Sequence, residues 1–286
     1  MKLSVIIPTC NAERFLEPLL NSLLAQTIQA EIVVIDSGST DGTPAIAARF
    51  ADRIRFLQIP RGTFDHGGTR DAALRQSTGE YTAFMTQDAL PADEFSLENL
   101  LEAFSDPQIA AVYGRQIARS DAPAYEKLIR EFNYPSEGRS WDERDVPRLG
   151  IRAYFFSDTF AVYRRDAYEA VGGFDHPIAV NEDMMMAAKL LHGGYSLAYV
   201  PSAAVLHSHR STLREDYRRH VLSGYVMHQY RERLSGAHAS AEGLRMVRFV
   251  VKGLISRRQF GSIPVFLAHV FARLIGNRVG KGKKHL

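Results

Sequence analysis

Residues 3–11 read Leu3-Ser4-Val5-Ile6-Ile7-Pro8-Thr9-Cys10-Asn11. This short, β-branched apolar run stops at a proline and turns polar. It is too short for the core of a signal peptide and reads as a buried strand. The pattern returns at Glu31 to Ile35, followed by Asp36-Ser37-Gly38-Ser39, and at Tyr81 to Met85, followed by Thr86-Gln87-Asp88. A further strand is expected over Ile54–Ile59. Between the strands, Ala12–Ala25 places leucines at helical spacing, Pro44–Phe50 follows a Ser-Thr-Asp-Gly-Thr turn, and Arg70–Gln76 reads as a third helix. Strands alternating with helices predict an α/β fold with a mostly parallel, doubly wound sheet. Ligands bind such sheets beyond the carboxyl ends of the strands, where this chain places its polar residues.

The second half is less regular. Strands are expected at Ile109–Gly114, Phe155–Val162, Ala198–Val200 and Ala203–Leu206, and helices at Pro123–Phe132, Arg165–Val171 and Glu182–His192. Pro135–Gly150, around the only tryptophan, reads as a mobile loop, and the chain is helical from Leu213 onward. The 286 residues, 45% of them hydrophobic, suit one large domain with a small appendage. A division is expected into a catalytic domain over residues 1–235, with nucleotide binding in about 1–115 and the acceptor side in about 116–235, and a basic helical tail over 236–286. The single cysteine, Cys10, excludes an internal disulfide and points to a reducing, cytoplasmic setting.

Net charge is only +3, but no acid follows Glu242, whereas Arg245, Arg248, Lys252, Arg257, Arg258, Arg273, Arg278, Lys281, Lys283 and Lys284 do. Such asymmetry suits an anionic partner, either lipid headgroups or nucleic acid. Apolar clusters between these residues fit helices lying in a membrane interface, packing on the core, or pairing two copies of the chain as a homo-oligomer.

Five segments carry candidate chemistry. Asp36 ends a strand, where it accepts hydrogen bonds from a ribose or base, or caps a turn. Asp88 ends another, where it holds Mg²⁺ or Mn²⁺, or caps a helix. Asn181-Glu182-Asp183 starts a helix, with a carboxylate that accepts a proton from an attacking hydroxyl or simply complements the helix dipole. His207 and His209 share one strand face, which suits a metal or a diphosphate. In Phe64-Asp65-His66-Gly67-Gly68-Thr69-Arg70-Asp71, glycines admit close approach and Arg70 pairs with phosphate, or the segment is a polar helix cap.

As an ordered set, these segments resemble family 2 glycosyltransferases of the GT-A fold. The motifs are Ser4 to Asn11, Val34 to Thr43, Gly79 to Asp88, Gly172-Gly173-Phe174-Asp175 with Glu182-Asp183, and His207-Ser208-His209; together they span about residues 1–230. Phe64 to Arg70, Thr86-Gln87-Asp88-Ala89 and Asn181 to Met184 are similar to bacterial rhamnosyltransferases. The resemblance implies an inverting transfer, with L-rhamnose from dTDP-L-rhamnose as the expected donor and UDP-hexoses as the alternative. The implied acceptor is a saccharide, lipid-linked, in cell-surface polysaccharide synthesis at the cytoplasmic face of the inner membrane. It implies donor binding by Pro8, Thr9, Asn11, Asp36, Arg70, Gln87 and Asp88. It also implies a divalent cation, Mg²⁺ or Mn²⁺, on Asp88 with His209 or His207. Asp183 is the implied base, with Trp141, Phe174 and Glu182 on the acceptor side.

Three positions depart from the family pattern: Cys10 stands where an aromatic is common, Thr86 replaces the first acid of Asp-x-Asp, and Asp71 replaces Asn. Other classes fit less well. A nicotinamide dehydrogenase needs Gly-x-Gly-x-x-Gly where Pro8-Thr9-Cys10-Asn11 stands. A sugar-nucleotide pyrophosphorylase needs a Gly-rich basic loop there. A nucleic-acid binder would not place carboxylates at the strand ends.

Overall fold

The computed structural model describes residues 1–209, 211–235, 240–283 and 285; Lys284 of the basic tail lies outside them. The first half follows β1 (Leu3–Thr9), α1 (Leu16–Leu24), β2 (Ala30–Asp36), α2 (Thr43–Arg49), β3 (Arg55–Gln58), α3 (His66–Gln76) and β4 (Tyr81–Met85). Then come β5 (Leu90–Pro91), α4 (Ser96–Glu102), β6 (Ile109–Ile117), α5 (Ala124–Asn133), β7 (Arg139–Trp141), α6 (Val146–Leu149), β8 (Phe160–Arg164) and α7 (Arg165–Ala170). The chain continues through α8 (Glu182–His192), β9 (Ser196–Leu206), α9 (Leu213–Gln229), α10 (Ser240–Ser256) and α11 (Ser262–Lys281).

These strands form one mixed sheet in the order β3-β2-β1-β4-β8-β6-β9-β5, with β7 on β9. The expected parallel pairing runs through β3-β2-β1-β4, β8 reverses direction, and β6 and β9 are parallel again. Period-2 alternation divides each strand between two apolar layers. Val5 and Ile7 face one layer with the leucines of α1, while Ile6 and Phe84 face the other with Met185, Met186 and Leu190 of α8. Because β1 and β2 are parallel and in register to Thr9↔Asp36, their polar ends emerge at one rim.

Four local expectations are corrected. Pro135–Gly150 is built structure: β7 pairs with β9, Asp142 caps a 3₁₀ turn, and α6 follows. The strand placed at Phe155–Val162 begins only at Phe160, so residues 155–159 form a loop. The two short strands after Gly194 are one, β9, with a register shift against β6 beside Pro201. Helix α3 starts four residues before the expected Arg70. Asp65 caps it by accepting from the Gly68 amide at 2.7 Å, and Gly67 fits because a Cβ there would meet the Asp175 carbonyl at 2.3 Å.

The basic helices pack on the body. Helix α10 lies on α5 through Leu128, Val250 and Leu254, with Phe266 of α11 completing the cluster. Helices α9 and α11 approach backbone to backbone: a Cβ added at Gly224 would meet the Asn277 carbonyl at 2.2 Å, and one at Gly280 the Val221 carbonyl at 2.0 Å. Between them buried Asp216 accepts from Arg273 Nε at 2.8 Å and pairs with His269 Nδ1 at 2.8 Å. Among the described residues, no helix is long and apolar enough to cross a membrane.

Candidate active site

Two cavities meet beyond the strand ends. The first, about 500 Å³, lies over β1 and is walled by Pro8, Thr9, Cys10, Gln87, Asp88 and Arg70. Gln87 closes its floor, accepting from the Cys10 amide at 2.8 Å and donating to the Cys10 carbonyl at 3.2 Å. The second, about 820 Å³, contains Asp158, Glu182, Asp183, His207 and several arginines. His66, Arg70, Thr86 and His209 line both cavities and form the seam between them.

At that seam Asp88, His207 and His209 present ligand atoms within 4.8 Å of one another. Asp88 Oδ2 lies 3.4 Å from His207 Nε2 and 3.6 Å from His209 Nδ1. The tautomer of His207 follows from its neighbours. Gln116 Oε1 receives Arg130 Nη1 at 2.5 Å and is therefore the amide oxygen. His207 Nδ1, 2.9 Å from the same oxygen, must carry the proton, leaving the Nε2 lone pair aimed at Asp88. Buried Nε2 has no hydrogen-bond partner. One carboxylate, two neutral imidazoles and an orphan nitrogen suit a divalent cation. Burial and the neighbouring His207 push His209 down to about 4, so its ring is neutral at pH 7.

On the second cavity's floor, one buried cation faces three carboxyls. Arg70, 4% exposed, donates from Nη1 to the His66 carbonyl at 2.9 Å, pairs with Glu182 Oε1 at 3.1 Å, and places Nε 4.0 Å from Asp158 Oδ2. Asp183 stands at the N-terminus of α8 after Asn181, whose φ of 62° turns the chain into the helix. Its Oδ1 accepts from the Met184 amide at 2.7 Å and its Oδ2 from the Asp158 amide at 3.4 Å. Burial first, then the adjacent Glu182 charge, raise Asp183 to about 7. Glu182 moves down despite its burial, because Arg70 and His66 favour its charge.

The structure thus brings Pro8, Thr9, Arg70, Gln87, Asp88, Glu182, Asp183, His207 and His209 to connected cavity walls. Four expectations are corrected. Asp36 is 0% exposed and its oxygens are taken by Thr9 Oγ1 (3.1 Å), Ser39 Oγ (2.5 Å) and the Ser39 amide (2.9 Å), so it braces the rim from below. Asn11 lines neither cavity, and its Oδ1 accepts from the Thr40 amide at 2.9 Å. Trp141 is buried on β7, its indole N–H donating to the Ala153 carbonyl at 2.8 Å, and Phe174 packs among Phe84, Tyr163 and Tyr168; neither offers a face to an acceptor. Sequence reading gave no site role to Phe15 or Phe64, which line the first cavity together with Cys10. It also missed Asp158, an acid just ahead of an apolar strand. Asp71 is explained: it accepts the Tyr168 hydroxyl inside the core.

A mixed α/β sheet with a metal-ready triad and a buried carboxylate near a shared seam suits a group-transfer enzyme. Residues 4–172 match the family described as glycosyl transferase family 2, and the chain belongs to that family. The chain is 38% identical to the O-antigen chain rhamnosyltransferase RfbN of Salmonella typhimurium over 98% of its own length and 90% of that protein. It is 37% identical to the O-antigen chain rhamnosyltransferase WbaN of Salmonella anatum, over 97% and 89%. Its fold is similar to that of the mannosyltransferase PcManGT from Pyrobaculum calidifontis, solved with GDP-Man and Mn²⁺ (TM-score 0.65, 21% identity, 97% of this chain and 87% of that one).

Proposed function

We propose that this protein transfers L-rhamnose from dTDP-L-rhamnose, with inversion, to a hydroxyl of a lipid-linked saccharide during cell-surface polysaccharide synthesis. The observation that carries the reading is the pair of cavities meeting at the seam, with Asp88 on the donor side, Asp183 and His207 on the other, and His209 shared by both. The 38% and 37% identities to O-antigen chain rhamnosyltransferases support the choice of sugar.

The nucleotide lies along β1, its base against Phe15 and Phe64, and its diphosphate points toward Asp88 and the seam. Asp88, His207 and His209 would hold Mg²⁺ or Mn²⁺, which supplies positive charge to the departing diphosphate. Asp183 takes the proton of the acceptor hydroxyl as its oxygen bonds to the anomeric carbon and the bond to the diphosphate breaks. A single displacement inverts the centre and needs no enzyme nucleophile. Arg70 keeps Glu182 charged, and Glu182 in turn keeps Asp183 basic. The test is a transfer assay across dTDP-L-rhamnose, UDP-glucose, UDP-GlcNAc and GDP-mannose with Mg²⁺ or Mn²⁺. Turnover confined to a UDP- or GDP-sugar rejects the rhamnose reading.

The basic helices touch an anionic membrane surface in this reading. Pro264, Leu267, Phe271 and Leu274 make an exposed apolar stripe along α11. Among the described residues, Arg248, Lys252, Arg258, Arg278, Lys281 and Lys283 have no carboxylate partner, so their charge is available to lipid headgroups.

A further inference from the structure

We propose that Asp158 is a positioning residue for glycosyl transfer, holding Asp183 and Arg70 in a fixed relation beneath the acceptor cavity. The inference rests on the reading of Asp183 as the base. Asp158 precedes β8 and is 2% exposed. Its three polar groups point three ways. The amide donates to Asp183 Oδ2 at 3.4 Å, Oδ1 accepts the Tyr163 hydroxyl at 2.7 Å, and Oδ2 faces Arg70 Nε at 4.0 Å. Asp158 Oδ2 and Arg70 Nε are both buried and have no hydrogen-bond partner. Leaving two such atoms unmet is costly, and across this gap each faces the other.

The arrangement works through the loop rather than by contact with substrate. Tyr163 sits on β8, fully buried among Phe84, Phe156, Tyr168 and Phe174, so its hydroxyl is an immobile anchor. The bond from that hydroxyl to Asp158 fixes the 157–159 loop, and the fixed loop aims the Asp158 amide at the base. Asp183 is then held at one oxygen by its own helix and at the other by this loop.

The charged and titratable groups around Asp183 are Glu182 on α8, Arg70 and His66 on α3, Asp158 before β8, Tyr163 on β8 and Tyr134 at the end of α5. Burial pushes the Asp158 carboxyl well above the usual carboxylate range, despite Arg70. The Asp158 amide bond favours charged Asp183, so losing it moves the acid limb of the rate profile to higher pH.

The experiment compares Asp158→Ala, Asp158→Asn, Tyr163→Phe and Asp183→Asn, reading kcat, donor KM and the pH profile of kcat. A misplaced base lowers kcat, so Asp158→Ala is expected to lose about 10- to 100-fold in kcat with donor KM within about 3-fold, and its acid limb moves up. Asp158→Asn keeps a side-chain acceptor for the Tyr163 hydroxyl, and with it the loop that aims the backbone amide, and recovers most of the rate. If Asp158→Ala does not fold, Tyr163→Phe, which removes only the hydroxyl anchor, is expected to lower kcat and shift the limb in the same direction. Wild-type kcat and profile in Asp158→Ala or Tyr163→Phe, or an Asn variant as impaired as the Ala variant, overturns the proposal. An active Asp183→Asn variant overturns the base reading itself, whereas an inactive one beside unaffected Asp158 variants overturns only this inference.

Discussion

Asp183 and His207 show how neighbours set the chemistry of a side chain. With its carboxyl raised to about 7, Asp183 is half-charged near neutrality, and transfer should rise with pH through that value. Asp183→Asn should keep nucleotide binding, read by thermal shift with dTDP, and lose about 10²- to 10⁴-fold in kcat, the usual worth of a general base. The sign for stability is opposite to that for activity. A carboxyl whose folded pKa exceeds its unfolded value stabilises the fold at low pH and loses that contribution between the ordinary carboxylate range and about 7. Asp183→Asn should therefore raise Tm at pH 8, with the gain fading as pH falls toward 4. At the candidate metal triad, Gln116 fixes the tautomer of His207. Gln116→Ala should weaken Mn²⁺ binding about 10- to 100-fold by calorimetry, as loss of a ligand's hydrogen-bonded support does. The residue types at these sites were legible in the sequence because each polar group follows an apolar strand or opens a helix. The boundary set at Phe155 hid Asp158 by placing it inside a strand; it precedes β8 rather than following a strand, and reaches the same rim as Asp88 only because β8 runs antiparallel to β4, with Met85 opposite Phe160.

At the level of elements, α9 and α11 are joined by glycines and by one buried acid. Gly280 leaves no room for a methyl group beneath the Val221 carbonyl, so Gly280→Ala should cost about 1–3 kcal/mol in urea unfolding, the usual range for overpacking. Asp216, gripped by His269 and Arg273, ties α11 to the helix that follows the His209 segment. Periodicity in the sequence announced amphipathic helices after Leu213 but not their partner, because an apolar face looks the same whether it meets a core, a lipid or a second copy. Trp141 was misplaced for a related reason: Pro, Gly and charge around it resemble a loop, while its pairing with β9 depends on a strand more than fifty residues away.

For the whole molecule, packing of α11 on α9 decides how its surface chemistry is to be probed. Removing the residues after Glu242 would strip α11 from buried Asp216 and expose the cluster around Leu128, so it would test folding before it tested binding. Exchanging exposed Leu267, Phe271 and Leu274 for serine leaves the packed face intact. Wild-type protein should co-sediment with phosphatidylglycerol vesicles and be released by salt, and the triple variant should stay in solution. Equal retention of both proteins rejects the stripe as the contact, and lipid-free dimerisation lost in the triple variant assigns it to a second copy.

The sequence alone determined the strand–helix alternation, the polar residues at the strand ends and the family, because these are local patterns in which each residue's neighbours along the chain are enough. Tertiary structure decided which of those residues share a cavity. Asp36 turned inward to brace a rim, Asn11 bonded the neighbouring loop, Trp141 and Phe174 went to the core, and Asp158 and Tyr163 arrived beneath Asp183, since burial and pKa depend on groups that only folding brings within a few ångströms.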